Sequence, residues 1–177
     1  EIVSEKDLLE MDQRFETICS ELRPTYAYID KDKYLNIHDP AKRKDLLRRF
    51  LISENMDVDK AAKRLRGTVE FRRDWKIEEY YQPGAAEKLI PEANNPGAEL
   101  YFADSLLHDK DNRPYIVGRI GLLSQDNMHP WRHLRAGVFV LDRLATQLEP
   151  GQQASYILDL APIDFPGTYS GTGGKRR

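Results

Sequence analysis

The chain has 177 residues, 40% of them hydrophobic and 10% aromatic, and a formal net charge of -2. That composition supports a buried core and excludes intrinsic disorder, and the near balance of charge excludes a whole-chain attraction to nucleic acid. No apolar run is long enough to span a bilayer, and the acidic first residues lack the basic and apolar regions of a signal peptide.

The first half reads as helical. Ser4, with Asp7 three residues on, resembles a capping box, and Leu8, Met11, Phe15, Ile18 and Leu22 then recur at helical spacing as far as Pro24. Cys19 is the single cysteine. It cannot form an intrachain disulfide, and its apolar neighbours favour a buried thiol in a reducing compartment, the cytosol. Residues 25–37 read as a connector. Asp39-Pro40 supplies an N-cap and a proline for the first helical position, and Leu46, Leu47, Phe50 and Leu51 follow as an apolar face closed by Asn55. Asp57 starts a third helix with Val58, Ala61, Ala62, Leu65 and Val69 along one stripe and Phe71 and Trp75 a turn apart near its end. Pro83-Gly84 breaks the pattern, leaving a short helix over 85–90 and a loop from Pro91 to Pro96.

The pattern then changes. Tyr101-Phe102 and Leu106-Leu107 are short apolar pieces ahead of a charged hairpin turn over Asp109–Arg113, and Tyr115–Ile120 is rich in β-formers. His129-Pro130 opens a helix carrying Trp131, Leu134, Val138, Leu141, Ala145 and Leu148, with Phe139, Val140 and Leu144 widening the stripe. A surface so broad is expected to be covered on more than one side. Ala154–Leu160 supplies the next strand. Strand, helix and strand in this order predict a parallel pair and an α/β fold. Alternation places Ile116 and Gly118 on one face of the first strand and Tyr115, Val117 and Arg119 on the other; Ala154, Tyr156 and Leu158 share a face of the second.

Sharper motifs fail on their own chemistry. Gly171-Thr172-Gly173-Gly174-Lys175 hints at a phosphate loop, but Tyr169 stands where its first glycine belongs and Arg176 replaces the metal-binding hydroxyl. His129, His133 and Asp126 lie close together, while His38 and His108 are remote in sequence, so no metal centre is expected. Asp109, Asp111 and Asn112 lack the glycine and glutamate of a calcium loop. Asp159 ends a strand, yet there is no nucleophile elbow and no paired base, so no catalytic residue and no cofactor is assigned. Lys42, Arg43, Lys44, Arg48, Arg49, Lys63, Arg64, Arg66, Arg72 and Arg73 form a candidate patch for anionic membrane, interspersed with Glu54, Asp57, Asp59 and Glu70. A mixed, solvated helical surface is the competing reading.

Three stretches together resemble the CRAL-TRIO lipid-transfer family, of the phosphatidylinositol transfer protein-like kind. Leu47-Arg48-Arg49-Phe50-Leu51, then Met56–Ala62 and Phe71-Arg72-Arg73-Asp74-Trp75, is similar to the family's N-terminal helical region. Asp109–Gly121 is similar to its aspartate-rich turn leading into the first sheet strand. Leu148–Gln152 with Ile157-Leu158-Asp159-Leu160 is similar to the linker and second strand of the same lobe. The resemblance covers roughly residues 40–165.

The resemblance implies an N-terminal helical lobe over 1–90, a partial lipid-binding lobe with a mixed sheet and flanking helices over 91–166, and a flexible Gly-rich tail over 167–177. It implies non-enzymatic binding of a hydrophobic lipid and its transfer between membranes, by a cytoplasmic protein in transient peripheral contact with bilayers. The candidate lipid-binding residues are Ile116, Gly118, Ala154, Tyr156 and Leu158. Ile52-Ser53-Glu54-Asn55 stands where many members carry a basic cluster, which weighs against phosphoinositide recognition and toward a more apolar ligand. The family lobe continues with further strands, a gating helix and a late basic residue not found here, so impaired binding is expected. The alternative is a protein-interaction or regulatory module, or an inactive shortened isoform.

Overall fold

The computed structural model describes residues 3–85, 88, 107–119 and 130–159. Helices α1 (Glu5–Leu22), α2 (Pro40–Ser53) and α3 (Val58–Asp74) come first, and a 3-10 helix, Ile77–Tyr81, follows α3. Each of the three helices starts as its sequence dictates. The Ser4 hydroxyl accepts from the Asp7 amide, Asp39 from Lys42 with Pro40 entering the first turn, and Asp57 from Lys60. Between α2 and α3 the chain turns through Asn55 and Met56, both left-handed at φ 52° and 64°, and the Met56 amide closes on the Leu51 carbonyl at 2.8 Å.

The apolar stripes meet in one core. Met11, Phe15 and Ile18 of α1 pack with Leu46, Leu47 and Leu51 of α2 and Ala61, Leu65 and Val69 of α3. Residues 25–37 are no mere connector: Tyr26, Ile29 and Leu35 are buried in the same core, around a short 3-10 turn at Ile29–Lys31. A three-residue turn has no periodicity to betray it, so burial here rests on tertiary packing rather than on a repeating local pattern.

The second half is a strand–helix–strand unit. Strand β1 (Leu107–His108) pairs antiparallel with β2 (Pro114–Arg119), and β2 pairs in parallel with β3 (Ser155–Asp159) across helix α4 (Pro130–Gln147). The protein is therefore a mixed α/β chain, mainly helical. The turn between β1 and β2 is the expected charged hairpin. The Asp109 carboxylate accepts from the amides of Asp111 at 2.9 Å and Arg113 at 2.8 Å, with Asn112 left-handed at φ 58°. Phe139, Val140 and Leu144 of α4 cover Ile116 of β2 together with Ile77 and Tyr80, and this makes a second core. The helix is covered less broadly than its pattern predicts: Leu134 and Leu141 are exposed, and the helix ends before Leu148.

Among the described residues no helix is long and apolar enough to cross a membrane. The expected helix over 85–90, the loop after it, Tyr101-Phe102, His129, Asp126 and the Gly-rich tail lie wholly or mostly outside the described residues.

Candidate functional site

The ladder between β2 and β3 brings the candidate lipid-binding positions side by side. Ile116 stands opposite Tyr156 and Gly118 opposite Leu158, and Ala154 immediately precedes β3. In a parallel pair, residues in register share a face, so Ile116 and Tyr156 belong to the same side of the sheet. Their surroundings differ. Ile116 is buried under α4, Ala154 packs at the edge of that core, and Tyr156 is 52% exposed. The side chains of Gly118 and Leu158 lie outside the described residues. The face proposed as a lipid floor is thus filled by helix packing at Ile116 and open at Tyr156.

A buried ionic network joins the helical lobe to α4. Arg72 lies on the α3 stripe one turn beyond Val69, and its guanidinium grips Asp32 with two hydrogen bonds, Nε to Oδ2 at 2.6 Å and Nη2 to Oδ1 at 2.7 Å. Its remaining Nη1 donates to Asp142 of α4. Tyr26 donates its hydroxyl to Asp32 at 2.7 Å, Tyr81 donates to Asp142, and the guanidinium sits 4.7 Å from the centre of the Tyr34 ring. Burial alone would lower the Arg72 pKa, but the hydrogen bonds and charges of both aspartates outweigh it and raise the value. Burial raises the pKa of both tyrosines, and the adjacent carboxylate charge adds to the effect.

Arg72 is therefore no part of a membrane-facing patch. Most of its companions are engaged too: Arg43 with Asp12 and Glu16, Lys44 with Glu5, Arg49 with Asp45, Arg64 with Glu54, and Arg66 with Glu21. The first helices present a mixed surface laced with ion pairs, the competing reading of those charges.

Beside the network opens a cavity of about 340 Å³, lined from three segments: Lys33, the residues Tyr80, Tyr81, Gln82, Gly84 and Ala85, and Phe139, Arg143, Thr146 and Gln147 of α4. Lys33 Nζ lies 5.3 Å from the centre of the Tyr81 ring, and the Arg143 guanidinium 5.5 Å from that of Phe139. The turn that follows α4 is held against α2, with the Gly151 amide on Asp45 at 3.0 Å and Lys42 3.6 Å from Glu149. These contacts fix the end of α4 relative to the helical lobe.

Sequence reasoning missed the network and the cavity, although one signal was present. Arg72 continues a buried apolar stripe, and Asp142 interrupts the broad apolar surface of α4, three residues from Phe139. A charge at a buried helical position demands a partner. Comparisons of the chain with protein-family models, curated proteins and solved structures find no match.

Proposed function

We propose that this chain binds a hydrophobic lipid and carries it between membranes without catalysing a reaction, as the resemblance to CRAL-TRIO proteins implies. The ligand is of the phosphatidylinositol class or more apolar. The carrier works in the cytosol and touches membrane surfaces transiently. The observation that carries this reading is the parallel β2–β3 ladder, which sets Ile116 opposite Tyr156 on one side of the sheet next to the α4 core. Burial of acyl chain on such a face is worth roughly 0.8 kcal/mol per CH₂ removed from water. The test is transfer of a fluorescent phosphatidylinositol, and separately of tocopherol, from donor to acceptor vesicles. Transfer that scales with protein concentration supports the reading, and rates equal to the protein-free control reject it.

One observation favours a second reading, a protein-interaction module. Ile116 is already covered by α4, while Leu134 and Leu141 of that helix and Ile157 of β3 are exposed. This reading expects no co-purifying lipid.

A further inference from the structure

We propose that the cavity between Lys33, Tyr81 and the C-terminal half of α4 is a binding site for a phosphate monoester. The inference does not depend on lipid transfer. Lys33 and Arg143 approach the cavity from segments far apart in sequence, and neither has a carboxylate partner among the described residues. Most of the other basic side chains on the helical lobe have one, as the pairings of Arg43, Lys44, Arg64 and Arg66 illustrate. Aromatic rings lie beneath both cations, Tyr81 under Lys33 and Phe139 under Arg143, and hold them at the cavity without neutralising them.

Asp142, one turn from Phe139 on α4, is already engaged. Its oxygens accept from Arg72 and from the Tyr81 hydroxyl, and Asp142 is not among the residues that line the cavity. Arg72, Lys33 and Arg143 stand against Asp32, Asp142 and Glu78, whose charge also reaches Tyr26, so it is the two cations at the cavity rather than a net charge of the junction that would draw an anion. The negative end of the α4 dipole opposes an anion here. Two full cations outweigh the roughly half charge of the helix end, and in a field of that net sign a doubly charged group gains about twice what a carboxylate gains. Gln82, Thr146 and Gln147 add neutral hydrogen-bonding groups to the wall. The volume of about 340 Å³ lies at the low end of small-molecule sites, enough for a phosphate with a ring or short chain attached.

Phenyl phosphate is the probe, titrated calorimetrically into the full chain, with benzoate as the singly charged comparison. Saturable binding of phenyl phosphate is expected, well above that of benzoate. Lys33→Gln with Arg143→Gln should weaken it by at least about tenfold. Lys44→Gln, on the α2 surface and paired with Glu5, should leave it unchanged. Circular dichroism checks the fold; if the double variant unfolds, Lys33→Gln is read alone, since that side chain is exposed. Phosphatidylcholine vesicles doped with phosphatidic acid separate the sources of the ester. Binding to both probes, lost in the variant, assigns a lipid headgroup; binding to phenyl phosphate without vesicles assigns a soluble ester. No saturable binding of phenyl phosphate, equal binding by the variant, an equal loss in Lys44→Gln, or binding to vesicles alone overturns the proposal.

Discussion

Arg72 of α3 and Asp142 of α4 form a buried ion pair across the junction of the two cores, each side chain 5% exposed. Seventy residues of chain separate them. Asp32, also fully enclosed, takes the other edge of the same guanidinium, so a single side chain satisfies two buried carboxylates. The pair is a specific joint between the lobes. Its worth lies less in net stabilisation than in the cost of breaking it, because desolvation offsets most of the attraction while an orphaned buried charge has no compensation.

Arg72→Met should therefore cost about 3–5 kcal/mol, by leaving Asp32 and Asp142 without their cation. Asp142→Asn keeps a carbonyl acceptor for Arg72, sets an amide donor against the Tyr81 hydroxyl, which can turn to accept, and leaves Arg72 paired with Asp32, so it should cost less. Urea unfolding of both variants, compared with the parent, measures the difference; equal and small losses would show that the network is solvated.

Tyr26→Phe removes a buried hydroxyl that donates to Asp32 at 2.7 Å. A hydrogen bond to a charged group contributes about 1.5–3 kcal/mol, and a loss in that range is expected from the same titration. The loss should shrink when Asp32 is already replaced by Asn, since the two groups share one interaction.

Stability should fall in alkali, beginning with Cys19. Burial pushes this thiol up to about 12 from its ordinary value of 9.0, with the charge of Glu16 adding to the shift. Below pH 9 both states keep the proton and the stability is intact. From there to about pH 12 the unfolded chain releases it first, and stability is lost. Tyr26 and Tyr81, also raised, extend the decline to higher pH. Cys19→Ala should delay the onset in urea titrations across this range, and the native thiol should react with a disulfide reagent only after unfolding.

Ile116 and Tyr156 face each other across the ladder but should behave oppositely. Ile116→Ala empties a packed site and should cost about 2–5 kcal/mol. Tyr156→Ala, at a half-exposed position, should change stability by less than about 0.5 kcal/mol yet weaken lipid retention. Thermal unfolding read beside lipid binding checks both.

Local signals made much of the fold legible. Ser4, Asp39 with Pro40, and Asp57 marked the three helix starts because an N-cap satisfies amides within its own turn. The order of β-rich, amphipathic and β-rich segments carried the parallel pairing of β2 with β3. The burial of Tyr26, Ile29 and Leu35 was not legible, since a 3-10 turn of three residues leaves no repeat. Nor was the partner of Arg72, because Asp32 is forty residues away and only the packed helices bring them together. At the candidate site, alternation could group residues within a strand, while the pairing of Ile116 with Tyr156 came from the register of the two strands. Which of them would lie under α4 depended on where the helix landed.

Native mass spectrometry of the purified chain, with lipids extracted and identified from the same sample, tests lipid carriage most directly. Lipid carriage requires a stoichiometric complex whose extra mass is a single lipid class. A monodisperse chain of unmodified mass, with no lipid in the extract, would contradict it.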